Sequence, residues 1–270
     1  MPQLTVGHRG PPFKLSLHAM FNYVLQLLYL GCQWKELPID KGKDGRPEIH
    51  YTRIYRAFRR WQDEGCFDAI FTGSVLTLAQ HDLLDTTVVH GDGTTTAAKK
   101  GGDNIGFNGH KRVKGDKVVP FCDRNCTVIV PFIAAPGNRN ESPMLREALP
   151  QLTSIARAAG IELNGTIVSL DGVYDCQANR KAIFNRGMVP NINENTRGRK
   201  TTKRGRKRLF DAAIFKERFR TIERVFARED KFRRVRIRFE RISAVHYALK
   251  TLAYTDDQPA ALLRLIPPLV

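Results

Sequence analysis

Acidic residues are scarce in this chain, and so are the features that would assign it to a membrane or to an oxidising compartment. Its 270 residues contain 27 Asp and Glu against 44 Lys and Arg, a formal net charge of +17. No apolar run reaches the roughly 18 to 20 residues a bilayer requires, and the opening MPQLTVGHRGPPFKL has no apolar stretch of signal-peptide type. Five cysteines are too few and odd in number for a disulfide framework, and Cys122 and Cys126 have no second pair at zinc-ligand spacing. Only two tryptophans occur, Trp34 and Trp61, both in helical contexts that favour core packing over stacking on bases. These shortages lead to the expectation of a cytoplasmic, nucleoid-associated protein with reduced thiols and no membrane partner. A hydrophobic content of 42% is enough for a packed core and argues against general disorder.

The positive charge is concentrated. Residues Thr196 to Arg241 hold 19 Lys and Arg against six acids, thirteen of the seventeen excess charges. Such a segment attracts a polyanion by steering and by counterion release, so nucleic acid is the expected partner and an anionic membrane a weaker second. Within it Lys200, Lys203, Arg204, Arg206, Lys207 and Arg208 form a hydrophilic run with nothing to bury, as expected of a loop that orders on a phosphate backbone.

Periodicity divides the rest. Residues 18–31 recur in apolar character at helical spacing. A second amphipathic segment sets Ile54, Phe58 and Trp61 on one stripe and Arg53, Arg56, Arg59 and Arg60 largely away from it. With a further helix over 67–84, this makes a helix-turn-helix-like region at 13–84. Its arginines either contact DNA or are ordinary surface.

From Asp85 the pattern turns to strands, at 86–91, 117–121 and 127–132, the last two joined by a turn at 123–125 and the three forming a meander. A helix over 141–160, kinked or broken at Pro150 and stopped by Gly160, leads to a buried strand at 166–170. A helix capped by Asp175 and running to Asn185, a fifth strand at 188–192, and helices at 211–228 and 234–254 complete an α+β domain with a mixed central sheet.

In so basic a chain, acids at the ends of apolar strands stand out. Asp92 follows Val88-Val89-His90-Gly91, Asp171 follows Ile167-Val168-Ser169-Leu170, and each precedes a glycine that lets the chain turn away. Either alone would also fit an ordinary Asp-Gly turn. Glu223 lies beside the apolar stripe Phe219, Ile222 and Phe226; a surface glutamate paired with Arg220 or Arg224 is the simpler alternative. Taken together, three carboxylates are the hard oxygen ligands that hold Mg²⁺ or Mn²⁺, two ions for in-line displacement at a phosphodiester. Asp103 is read as loop. His110 and Lys111 are read as strand positions, and Cys122, Cys126 and Cys176 have no partner for chemistry.

Three blocks, GDGTTTAAKKGGDNIGFNGHK, LDGVYDCQANRKAIFNRGMVPNINEN and RFRTIERVFAREDKFRRVRIRFE, resemble those of bacterial insertion-sequence transposases of the DDE class, nearest to the insertion-sequence-five family. GCQWKELP and YRAFRRWQDEGCFDAIF resemble that family's helical DNA-binding region, so the likeness spans roughly residues 13–254. It implies a ribonuclease-H-like core at 85–254 and divalent-ion ligation by Asp92, Asp171 and Glu223. It also implies cleavage and strand transfer at terminal inverted repeats, with double-stranded DNA as partner and a homodimer in the DNA complex. Arg220 and Lys231 each lie one position from a basic residue of the family pattern and are the expected phosphate contacts near Glu223. Residues 255–270 depart from the family as an atypical tail, as a truncated or frameshifted element would produce. The competing expectation is therefore a non-catalytic DNA- or RNA-binding derivative.

Overall fold

The computed structural model describes residues 14–195 and 209–258. The basic run from Lys200 to Arg208 and the end of the tail lie outside them. The first helix, α1 (Leu17–Leu30), is capped by the Ser16 side chain accepting from the Ala19 N–H. It ends at Gly31 with φ 69°, a conformation that glycine adopts without strain. After a 3₁₀ turn at Trp34–Glu36 come α2 (Tyr51–Asp63) and α3 (Cys66–Gln80). Trp61 is fully buried, and Phe21 and Phe58 pack in the same helical core.

Seven strands form one sheet: β1 (Val88–Gly91), β2 (Thr94–Ala97), β3 (Gly106–Asn108), β4 (Val113–Cys122), β5 (Val128–Pro136), β6 (Ile167–Leu170) and β7 (Val189–Ile192). The long strand β4 is the spine. Its one edge pairs antiparallel with β1 and then β2, its other edge with β5 and β3. On the far side of β1, β6 and then β7 run parallel to it. Ignoring the short β2 and β3, the spatial order is third, second, first, fourth, fifth strand, with the second strand antiparallel to the other four. This is the ribonuclease-H-like arrangement that the sequence led us to expect. The short strands were not expected. Four residues rich in threonine and three beginning with glycine are too brief to show a period of two, and β4 recruits them by supplying free edge hydrogen bonds.

Between β5 and β6, α4 (Ser142–Ala159) runs unbroken through Pro150 to a left-handed Gly160. The expected break is absent because Met144, Leu145, Ala148, Leu149 and Leu152 bury one continuous stripe across it. Residues 172–174 make a 3₁₀ turn before α5 (Gln177–Phe184). Asp175 is thus not the cap of α5, which begins after Cys176; its carboxylate instead takes Arg180 at 3.0 Å.

The last helices are α6 (Ala212–Glu229), α7 (Arg233–Arg236) and α8 (Ser243–Asp257). The single helix expected over 234–254 is divided because Arg238 turns inward after α7, donating to the carbonyls of Asp103 and Glu240. α8 continues to Asp257, which pairs with Lys231 at 2.5 Å, and Gln258 donates to the Val128 carbonyl at 2.8 Å.

Phe232 and Val235, just before and within α7, and Val245, Leu249 and Leu252 of α8 share one core with Met20, Leu27, Phe58 and Trp61 of the first helices. The amino-terminal helices are therefore built onto the carboxy-terminal ones and are not a detached module. Among the described residues no helix is long and apolar enough to cross a membrane.

Trp61→Ala should cost about 3 to 5 kcal/mol, the range for emptying a fully packed aromatic site. Denaturant unfolding would show it, and a loss under about 1 kcal/mol would mean that the indole is not a core element.

Candidate active site

The carboxylates of interest lie where parallel strands end. β1 and β6 pair in register, Val89 beside Val168 and His90 beside Ser169, so their next residues of like orientation, Asp92 and Asp171, leave the sheet side by side. Each turns at once. The Asp92 Oδ1 accepts the Gly93 N–H at 2.8 Å, and the Asp171 Oδ1 accepts the Gly172 N–H at 2.5 Å as it caps the 3₁₀ turn. The two are close enough for the Asp171 charge to act on Asp92, and neither is shut off from solvent.

Helix α6 lies over β1, β6 and β7 and begins at Asp211, whose carboxylate accepts the N–H groups of Ala213 and Ile214. Asn191, at the end of β7, fixes this start by exchanging two hydrogen bonds with the Asp211 backbone. The helix thereby brings Arg218, almost wholly buried, against Asp92, Nη1 to Oδ2 at 2.6 Å. The guanidinium is flanked by the rings of Phe215 and Phe219, at 5.2 and 4.7 Å from their centroids. Burial pushes the Asp92 carboxyl above its ordinary range, and Arg218 pulls it part of the way back.

One residue before Arg218, Glu217 takes both Arg124 (2.7 Å) and the buried His90 (3.4 Å). The Arg124 hydrogen bonds hold Glu217 below the usual carboxylate range, while burial holds His90 below the usual imidazole range. His90 Nδ1, Ser169 Oγ and Arg218 Nε are all buried without a hydrogen-bond partner among the described residues. The floor under α6 is therefore polar and incompletely satisfied.

Of the three expected carboxylates, the structure brings two together. Glu223 is exposed on α6. Five residues beyond Arg218 it stands about 140° round the helix and roughly 7.5 Å further along, toward the β4–β5 hairpin where Arg228 donates to the Cys126 carbonyl. The inward positions are Arg218, Thr221, Ile222 and Val225. The α6 side chain that contacts Asp92 is Arg218. Among the described residues no three His, Cys, Asp or Glu side chains are already gathered tightly enough to hold an ion.

The expected DNA contacts divide as well. Arg53, Arg56 and Arg220 are exposed, and Arg59 and Arg60 are half-buried on α2. Lys231 is engaged with Asp257. His110 and Lys111 form the exposed turn between β3 and β4, not a strand, with their N–H groups donated to Asn108 Oδ1. Asp103 is in a loop as expected, tying Arg238 and Ser243 together. Sequence reasoning missed Arg218 and Glu141. An arginine among eleven basic residues gives no sign that it is the buried one, and an acid that opens a predicted helix reads as an ordinary helix start.

The strand order, with two adjacent parallel strands each followed by an aspartate, is that of a ribonuclease-H-like domain. Residues 79–255 match the family model described as "Transposase DDE domain", and residues 1–71 match "Putative transposase of IS4/5 family". The chain belongs to the DDE transposases. A search of the curated proteins found none that matches it. Among solved structures it is similar to the catalytic domain of Mos1 mariner transposase, at 11% identity and a TM-score of 0.32 over 75% of this chain and 94% of that one. It is also similar to the Mos1 transposase paired-end complex with left transposon end, at 11% identity and a TM-score of 0.30 over 94% and 82%. Likeness at that level decides nothing; the strand order carries the fold.

Because Arg218 offsets the buried charge of Asp92, its loss should raise the Asp92 pKa further. Stability lost in Arg218→Met should then be small in acid, where Asp92 is protonated in either state. It should grow to about 3 kcal/mol as pH rises through the Asp92 ionisation. Denaturant unfolding at pH 4 and pH 8 measures this, and a deficit independent of pH would contradict the ion pair.

Proposed function

We propose that this transposase binds the terminal inverted repeats of an insertion sequence and cleaves and joins phosphodiesters there with a divalent ion. The observation that carries this reading is the pair of strand-end aspartates, Asp92 and Asp171, side by side beneath α6. Their oxygens are the hard donors that Mg²⁺ or Mn²⁺ prefers, and they are the residues that would hold the ion. When bound, such ions activate the attacking water or 3′-hydroxyl and stabilise the leaving oxygen, two ions serving both ends of the displacement. The chain's own groups set the stage. Arg218 screens Asp92 from its neighbour, and Asn191 fixes the start of α6.

DNA would be gripped by the basic segment, Lys200, Lys203, Arg204, Arg206, Lys207 and Arg208, supported by the exposed Arg53, Arg56 and Arg220. Arg59 and Arg60, half-buried, would contribute at the edge of the same α2 surface. Two protomers holding two element ends would form the working complex.

A second reading has an observation behind it. Arg218 rests on Asp92 and Glu223 faces solvent, as in a chain that keeps the fold and binds DNA without cutting it. Divalent-dependent cleavage of a supercoiled donor plasmid separates the two. For the enzyme, Asp92→Asn and Asp171→Asn should each lower cleavage roughly 10³-fold or more and leave binding to end-sequence DNA intact. A wild-type chain that binds but never cuts would leave only the binder. Neutralising Lys203, Arg204, Arg206 and Lys207 together should weaken binding and flatten its salt dependence by about three to four counterions. An unchanged slope would remove that segment from the contact.

A further inference from the structure

The hairpin of β3 and β4 carries charges that no contact among the described residues uses. Residues 104–115 contain no acid, and Lys111, Arg112 and Lys114 are all exposed with no ion-pair partner among the described residues. A merely solvated surface mixes charges of both signs; this one does not. Phe107, in the middle of β3, is 59% exposed and lies directly opposite Lys114, so ring and ammonium leave the same face of the sheet.

The backbone beneath these side chains is held firmly. One side-chain oxygen of Asn108 accepts the N–H groups of His110 and Lys111 at 3.1 and 3.0 Å, and its amide donates to Thr95 Oγ1 at 3.2 Å. Arg112 has a left-handed φ of 51°, which a residue with a Cβ keeps only where the surrounding structure imposes it. Gly106 lies so close to Asn138, and Gly115 to the Thr96 carbonyl, that a side chain at either would overlap its neighbour. A tip ordered in this way, with its cations and its ring left in water, is organised before any ligand arrives.

Its position relates it to the aspartates. Gly91 stands opposite Phe121 and Thr94 opposite Val118, so Asp92 is level with Pro120, and the β4 residues of like orientation are Val118, Asp116 and Lys114. Lys114 and Phe107 therefore emerge on the face from which Asp92 meets α6, roughly 20 Å further along β4. One turn of duplex DNA is longer than that, about 34 Å.

We propose that the β3–β4 hairpin is a further DNA-contacting surface, and that it holds the duplex whose end lies at Asp92 and Asp171. Lys111, Arg112 and Lys114 neutralise backbone phosphates, and Phe107 packs against sugars and base edges in the groove between them. The proposal rests on the reading that this chain binds end-sequence DNA. To the basic segment and the α2 surface it adds a contact on a rigid element, one that positions the duplex and reads no bases.

The test is binding of the full chain to an end-sequence duplex across a salt series. The triple variant Lys111→Gln, Arg112→Asn, Lys114→Gln should lower the salt slope by about two to three, asparagine being chosen because it accepts the left-handed position. Phe107→Ala should weaken binding about threefold or more at an unchanged slope, since it removes no charge. Thermal unfolding checks that both variants are folded. A photo-crosslinker on His110→Cys gives an arm that does not depend on them. Offered the end-sequence duplex and an unrelated target duplex together, it should attach to the former, within one turn of its terminal base pair. Attachment to the target duplex alone, or a wild-type slope in the triple variant, would refute the hairpin contact; unchanged binding by Phe107→Ala would remove the ring from it. If neutralising Lys203, Arg204, Arg206 and Lys207 weakens binding while the triple variant does not, the chain still binds DNA and this inference fails alone. If the unaltered chain does not bind the end-sequence duplex, both readings fall.

Discussion

Keeping two aspartates at the ends of neighbouring parallel strands is the constraint around which this molecule is arranged. Burial raises the proton affinity of Asp92 and the Asp171 charge beside it adds to the effect, so the site needs cations nearby. Arg218 meets that need from α6, its charge spread between two phenylalanine rings, and Lys117 does so for Glu141 from β4. Much of the local architecture serves these contacts. Asn191 sets the register of α6, Asn179 joins α4 to the Asp171 turn, and glycines at 93 and 172 let the chain leave each aspartate at once.

The helices at the two ends of the chain have a separate role. α7 and α8 complete the core of α1 to α3, and the far end of α8 reaches back to the β4–β5 hairpin through Gln258. A buried network of Glu229, Lys250 and Tyr254 joins α8 to α6, the helix that carries Arg218. The extension beyond Tyr254 belongs to this framework as far as it is described, since Asp256 and Asp257 bond Tyr29 and Lys231.

Much of the fold was legible because long elements have strong periods. Five of the seven strands and the long helices follow from β-branched runs and apolar stripes, and Asp92 and Asp171 from their place after such runs. What was not legible is long-range. β2 and β3 exist because β4 has edges to share, and Pro150 is tolerated because its helix is buried on both sides of it. The place of Glu223 could not be read from spacing alone. A shift of one residue moves a side chain about 100° round a helix, and only packing shows which residue turns inward. Here it is Arg218.

Manganese anomalous scattering from crystals soaked in Mn²⁺ tests the central claim most directly. The account predicts a peak between the carboxylates of Asp92 and Asp171, with Arg218 drawn off the Asp92 oxygen it holds without metal. Crystals that bind manganese only elsewhere, with Arg218 still seated on Asp92, would contradict it.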